Sequence, residues 1–310
     1  MGNQFKTAFL LGLMTAIIMA LGHLLGGPKG MTIAFFLAAG MNFFSYWYSD
    51  KIVLRMYRAR EISSAENPWL YQIVTRVSEN AGIPVPKIFL IPGESPNAFA
   101  TGRNRDHAVV AVTEGLVRLM SRDELEGVIA HEVAHIKNRD ILIGSIAATM
   151  AGAIMIIASM ARWSAILGGG SDDDEGGFGF VGLILMSIIA PIAALLVQMA
   201  ISRSREYMAD SSGARFAGSP SGLASALEKL GSYAQRVPMN ASPNTAHMFI
   251  VNPLTGRGLT NLFSTHPPLE DRIGRLRGTS YLRSKPGSGA NIDPGRRAAE
   301  ETWKRLSGKE

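Results

Sequence analysis

The chain has 310 residues, of which 47% are hydrophobic and 18% charged, with a net charge of +6 and no cysteine. The lack of cysteine excludes a disulfide framework and any Cys-ligated zinc site, so a metal would have to be held by histidine and carboxylate. A mean hydropathy of +0.13 is high for a soluble globular protein and points to a membrane protein, which also explains the basic balance. Lys and Arg collect where membrane helices emerge into the cytoplasm, so the positive charge reads as membrane topology and not as nucleic-acid binding.

Residues 7–25 and 31–48 are uncharged apolar runs separated by the short stretch GGPKG. No small-residue cleavage pattern follows the first run, so it reads as a span rather than a signal peptide. Together the two runs predict a transmembrane hairpin over residues 1–50. Tyr46, Trp47 and Tyr48 suit an interfacial aromatic belt, and Lys51, Arg55, Arg58 and Arg60 follow at once, which puts the next segment in the cytoplasm.

Residues 51–140 differ in kind. Leu70, Ile73, Val74 and Val77 recur at helical spacing before Gly82, a C-terminal stop. KIFLIP and HAVVAVT read as strands on either side of a loop-like stretch at 93–106. Ser121 and Glu124 form a capping box that starts a helix near residue 122, and no breaker follows before Gly144. Residues 141–161 are a third apolar run of about 31 Å as helix, followed by an acidic, Gly-rich loop containing DDDE. Residues 180–202 are a fourth run with Pro191 as a kink. A second hairpin over 141–202 therefore returns the chain to the cytoplasm, with Arg162 the one basic residue on the opposite side. Residues 203–277 are helical around a Pro/Asn/Gly-rich loop, and 278–310 form a polar tail. The expected fold class is an α+β membrane protein: four transmembrane helices and a mainly helical cytoplasmic domain with a small sheet.

The helix after Ser121 carries HEVAH. Residues four apart on a helix share a face one turn apart, so His131 and His135 can hold one metal ion while Glu132 reaches a water beside it. This is the H-E-x-x-H arrangement, in which the glutamate is a general base. A catalytic zinc needs a third protein ligand. RSREYMAD offers Glu206, with Asp210 one turn on and suited to accept the free N–H of a ligating histidine. The blander alternative is a solvated helix face with local salt bridges. Geometry favours the metal site, because HEVAH precedes the third run and SREYMAD follows the fourth. Both stand about 8–9 Å beyond the apolar edge by helix rise.

Taken together, SPNAFATG, HEVAH, SRSREYMAD and STHPPLEDRI, with the four apolar runs, resemble the HtpX family of bacterial membrane zinc metalloproteases. These are gluzincins whose relatives include the eukaryotic CaaX prenyl proteases. The resemblance extends to about residue 277. It implies one zinc ion held by His131, His135 and Glu206, with Glu132 activating water and Asp210 behind a ligand. It further implies that Asn97, Ala98, Phe99 and Ala100 bind the substrate backbone as an added strand, and that His266 donates to the developing oxyanion. The partners it implies are membrane protein substrates and the lipid bilayer, with cleavage on the cytoplasmic side of the bacterial inner membrane in membrane protein quality control. A non-catalytic metal-binding scaffold and a CaaX-type protease are the alternatives. His23, His107 and His247 read as interfacial, strand-end and loop residues rather than ligands.

Overall fold

The computed structural model describes residues 3–152, 203–234, 245, 248–250 and 267–278. The latter part of the third apolar run (153–161), all of the fourth, the acidic loop, His266 and residues 279–310 lie outside the described residues.

Helix α1 (Asn3–Met56) is one long helical element with Pro28 inside it. It is not straight. Gly27 has a φ of +57°, and Gly22 packs directly on Gly30 and Ala34. Asn42 Nδ2 donates to Thr15 Oγ1 at 2.8 Å across 27 residues of chain. The two halves thus lie against each other, with the reversal at Gly27, where a left-handed conformation costs glycine little. No helix among the described residues is long and apolar enough to cross a membrane. Four transmembrane helices are therefore not established by the fold. The second half of α1 is diluted by Gly40, Asn42, Ser45 and its aromatic tyrosines.

The remainder is mainly helical with a four-stranded mixed sheet. β1 (Arg60–Glu61) is antiparallel to β2 (Lys87–Ile91), β2 is parallel to β4 (Ala108–Thr113), and β3 (Ala98–Gly102) is antiparallel to β4, giving the order β1-β2-β4-β3. β3 lies inside the stretch that the residue pattern reads as loop. Its five residues are all buried, so there is no in–out alternation to mark it, and its Ala and Gly are weak strand formers.

Helix α2 (Pro68–Ala81) starts at Asn67, whose side chain accepts from Leu70 N, and stops at Gly82 in the left-handed region. Helix α3 (Glu114–Leu119) is a short capped turn leading into α4 (Arg122–Lys137), where the expected capping box of Ser121 and Glu124 is present. α4 is the central element. It is covered by α2, by β3 and β4, and by two later helices, α5 (Arg203–Phe216) and α6 (Ser221–Ala234). Leu125, Val128, Ile129, Val133 and Ile136 are fully buried in the core that results. Helix α7 (Leu269–Leu276) packs on α6 and α5. The sequence predicts no break before Gly144, but α4 ends at Lys137, Arg139 takes a φ of +60°, and helix resumes over 141–152. That three-residue break turns the chain at the end of the helix that carries HEVAH.

Candidate active site

α4 and α5 come into close backbone contact at Gly213. A β-carbon there would stand 2.9 Å from His131 N and 3.0 Å from Ala130 C, so only glycine allows the backbones this near. Two turns earlier on α5, Glu206 consequently faces the histidines of α4. The Nε2 atoms of His131 and His135 are 3.2 Å apart. Glu206 carboxylate oxygens lie 3.8 Å from the first and 3.5 Å from the second. One ligand atom from each of the three residues lies within 4.8 Å of the others.

The opposite nitrogens explain what this cluster needs. His131 Nδ1 is 2.9 Å from Asp210 Oδ1, and His135 Nδ1 is 3.2 Å from Asp140 Oδ2. A carboxylate can only accept, so each ring donates its Nδ1–H outward and turns its Nε2 lone pair inward. The two Nε2 atoms, 3.2 Å apart beside the Glu206 carboxylate, converge where a single cation would be shared by all three side chains. A tetrahedral zinc about 2.0–2.1 Å from each nitrogen would separate them by about 3.3 Å. The donor set and its spacing therefore fit such an ion.

The two arms of the cluster are built differently. Asp210 is gripped by Arg272, whose Nε and Nη2 donate to Oδ2 and Oδ1 at 2.9 and 2.7 Å. Arg272 is fully buried, and its Nη1 donates to Ile250 O at 3.0 Å. Burial pushes the Asp210 carboxyl up, but the Arg272 charge and hydrogen bonds, with His131, outweigh it and hold it at about 2. His131 is driven below its ordinary value, first by burial and then by the Arg272 charge, against the pull of Asp210. On the other arm, Arg205 Nη1 approaches Asp140 Oδ1 at 3.5 Å without hydrogen-bond geometry. Burial alone would lower His135, but the bond to Asp140 and the charges of Glu206 and Glu132 raise it to about 9.

Glu132 is 2% exposed. Burial, with the nearby Glu206 charge, raises its carboxyl to about 7, while His135 and a backbone hydrogen bond from Ala100 pull it down. That bond joins Glu132 to β3. Asn97 O accepts from Thr113 N at 2.9 Å on the β4 side, so the alternate residues Ala98, Ala100 and Gly102 turn their backbone groups away from β4. This outer edge faces the site. Ala98 O accepts from Ile250 N at 3.1 Å. Phe99 points the other way, fully buried against Phe249 and Tyr57 with ring centroids 5.3 and 6.0 Å away. The Asn97 side chain accepts from Ala98 N. The 97–100 segment thus presents backbone, not side chains, to the cleft.

The structure brings together His131, Glu132, His135, Glu206, Asp210 and β3. His266 lies outside the described residues. Asp140, Arg272 and Arg205 are the participants that sequence reasoning missed. Arg272 did leave a signal: Leu269, Ile273 and Leu276 form the apolar stripe of α7, and Arg272 falls on that stripe at helical spacing. A charge on a buried face implies a buried partner.

The family model described as peptidase family M48 matches residues 64–280, which contain every part of this cluster. The chain belongs to peptidase family M48. It is therefore a metalloprotease, a hydrolase of peptide bonds. It is 63% identical over 290 residues to a protease HtpX homolog of Desulfatibacillum aliphaticivorans, covering 93% of this chain and 92% of that one. It is 56% identical over 280 residues to a protease HtpX homolog of Thermococcus sibiricus, covering 89% and 96%. Among solved structures it is similar to S. mikatae Ste24p, with a TM-score of 0.48 and 19% identity, covering 88% of this chain and 65% of that chain. Among the described residues, His131, His135 and Glu206 form a group that could hold a metal.

Proposed function

We propose that this M48 protease is a zinc-dependent endopeptidase that cleaves membrane proteins at the cytoplasmic face of the bacterial inner membrane, in the manner of a quality-control protease. The observation that carries the reading is the convergence of three ligand atoms within 4.8 Å, with a carboxylate behind each histidine and a buried glutamate beside them. His131, His135 and Glu206 hold the zinc, and Asp210 and Asp140 fix the two rings. Zinc bound there supplies Lewis acidity towards water and towards the scissile carbonyl oxygen.

The chain's own residues do the rest. Glu132, buried beside the histidines, is placed to take a proton from water and return it to the leaving amine. The outer edge of β3 offers Ala98, Ala100 and Gly102 backbone groups to an extended substrate, which adds as a strand. Ile250 occupies the Ala98 position of that edge and yields it when substrate pairs. His266 donates to the oxyanion that forms on attack.

Membrane placement is supported by the apolar runs of the sequence and by the surface of α1. There Ile33, Phe36, Phe44 and Phe43 are 70, 69, 59 and 55% exposed, too large an apolar face to leave in water.

The test is a pair of substitutions in the full-length protein. Glu132→Gln keeps zinc at wild-type stoichiometry and loses cleavage by about 10²–10⁴-fold, whereas His131→Ala loses both. An active Glu132→Gln protein would contradict the assignment. Trapping with Glu132→Gln in membranes identifies the substrates, and recovery of soluble proteins alone would overturn the membrane-protein reading.

A further inference from the structure

A cavity of about 620 Å³ lies away from the zinc ligands, between the start of α1, its far end, the β3–β4 loop and the break after α4. Its lining divides into two chemistries. Arg103, Arg105 and Arg139 are set against a single carboxylate, Asp106, which leaves an excess of two positive charges. Leu11, Tyr46 and Leu142 supply an apolar wall.

Two of the arginines, Arg105 and Arg103, are held in place. Arg105 Nη2 donates to Lys137 O, at the C-terminal end of α4, while its Nε is buried with no hydrogen-bond partner. A buried, unsatisfied guanidinium nitrogen is rare and expensive, and an acceptor arriving from the cavity would satisfy it. Arg103 lies over the ring of Trp47, 4.6 Å from its centroid, and is oriented by His107 at 2.9 Å. Arg139 holds a left-handed backbone at φ +60°, a conformation that is strained for a non-glycine residue, and lines the same cavity.

The geometry points to a binding site for the phosphate of an anionic glycerophospholipid. The forked donors of arginine suit phosphate oxygens. The apolar wall, continuous with α1 and the 141–152 helix, suits the first methylenes of the acyl chains. The volume falls within the range of about 300–1,000 Å³ common for small-ligand sites. Tyr46 and Trp47 mark headgroup depth, and the cytoplasmic leaflet is the one that carries anionic lipid. This site rests on the membrane placement proposed above. Occupied, it would tie the β3–β4 loop to the end of α4, two residues past His135, and so brace the substrate edge against the metal-binding helix.

The test reconstitutes the full-length protein in nanodiscs of phosphatidylcholine with or without phosphatidylglycerol, then counts retained lipid by native mass spectrometry. The wild type retains one phosphatidylglycerol in preference to phosphatidylcholine, and millimolar inorganic phosphate does not displace it. Arg103→Gln and Arg139→Gly each weaken retention about fivefold. Arg139→Gly relieves backbone strain, so its loss of lipid is not unfolding. Equal retention of both lipids, unchanged retention in the arginine variants, or displacement by phosphate alone would each overturn the lipid site while leaving the membrane placement intact. Failure of the protein to enter the discs would overturn the membrane placement and the site with it.

Discussion

His131 and His135 are one helical turn apart on α4, yet the chain supports them in different ways. His131 is fully enclosed, and its partner Asp210 is held by a bidentate arginine with no exposure. His135 is more open, and its partner Asp140 sits in the break after α4, where Arg205 Nη1 approaches it at 3.5 Å. The first arm is part of the core and links the metal site to α5, α7 and the strand edge. The second is built from the three-residue break after α4 and a neighbouring helix. A ligand can thus be oriented either by the folded core or by a local turn, and the two should fail differently when damaged.

Arg272→Met should be the most damaging change. It leaves Asp210 charged, buried and without its partner, for a loss of about 3–5 kcal/mol in unfolding free energy, read by chemical denaturation of the zinc-free protein. Preserved stability would mean that the inner arm is not part of the core. Asp140→Asn tests the other side of the contrast. It should weaken zinc about 10–100-fold in a competition titration, with the denaturation midpoint of the zinc-free protein within error of wild type. Equal destabilisation by the two variants would erase the distinction between the arms.

Gly213→Ala acts on the geometry shared by both. Its methyl would press on Ala130 and His131 backbone at about 3 Å, and overpacking of this kind costs about 1–3 kcal/mol. Thermal unfolding should shift down, and zinc affinity should fall with it as Glu206 is pushed from the histidines. A variant as stable and as tight for zinc as wild type would show that the helices separate freely.

The smallest effect is expected at the start of α4. Burial raises the Glu124 carboxyl, but hydrogen bonds from Lys229 and Ser121 outweigh it and hold it below the ordinary value of 4.5. Because the folded-state value is depressed, its contribution is present above about 4.5 and is lost as pH falls below that. Glu124→Gln should therefore cost about 1 kcal/mol near neutrality, with the difference from wild type closing in acid. A gap that persists under acid would assign the loss to packing.

What the sequence could announce is tied to local spacing. The capping box, the i, i+4 pairs His131–His135 and Glu206–Asp210, and the stop at Gly82 are all written within a turn or two of chain, and each is where the residues put it. Asp140 was hidden because the reading ran α4 straight on to Gly144, whereas the left-handed Arg139 folds the next residue back to His135. Arg272 was hidden by distance: it reaches Asp210 from 62 residues away. β3 was hidden because burial on both faces removes alternation, so the edge facing Glu132 is visible only in the assembled sheet. The reversal at Gly27 falls within GGPKG, the stretch where the two apolar runs are expected to turn back on each other.

The central claim is that His131, His135 and Glu206 together hold one zinc ion. X-ray absorption at the zinc edge, on the full-length protein loaded with one equivalent, tests it directly. The account predicts two imidazole nitrogens and oxygen donors at about 2.0–2.2 Å, with bound zinc lost from Glu206→Ala and retained in Glu132→Gln. Full zinc occupancy with an unchanged spectrum in Glu206→Ala would contradict it.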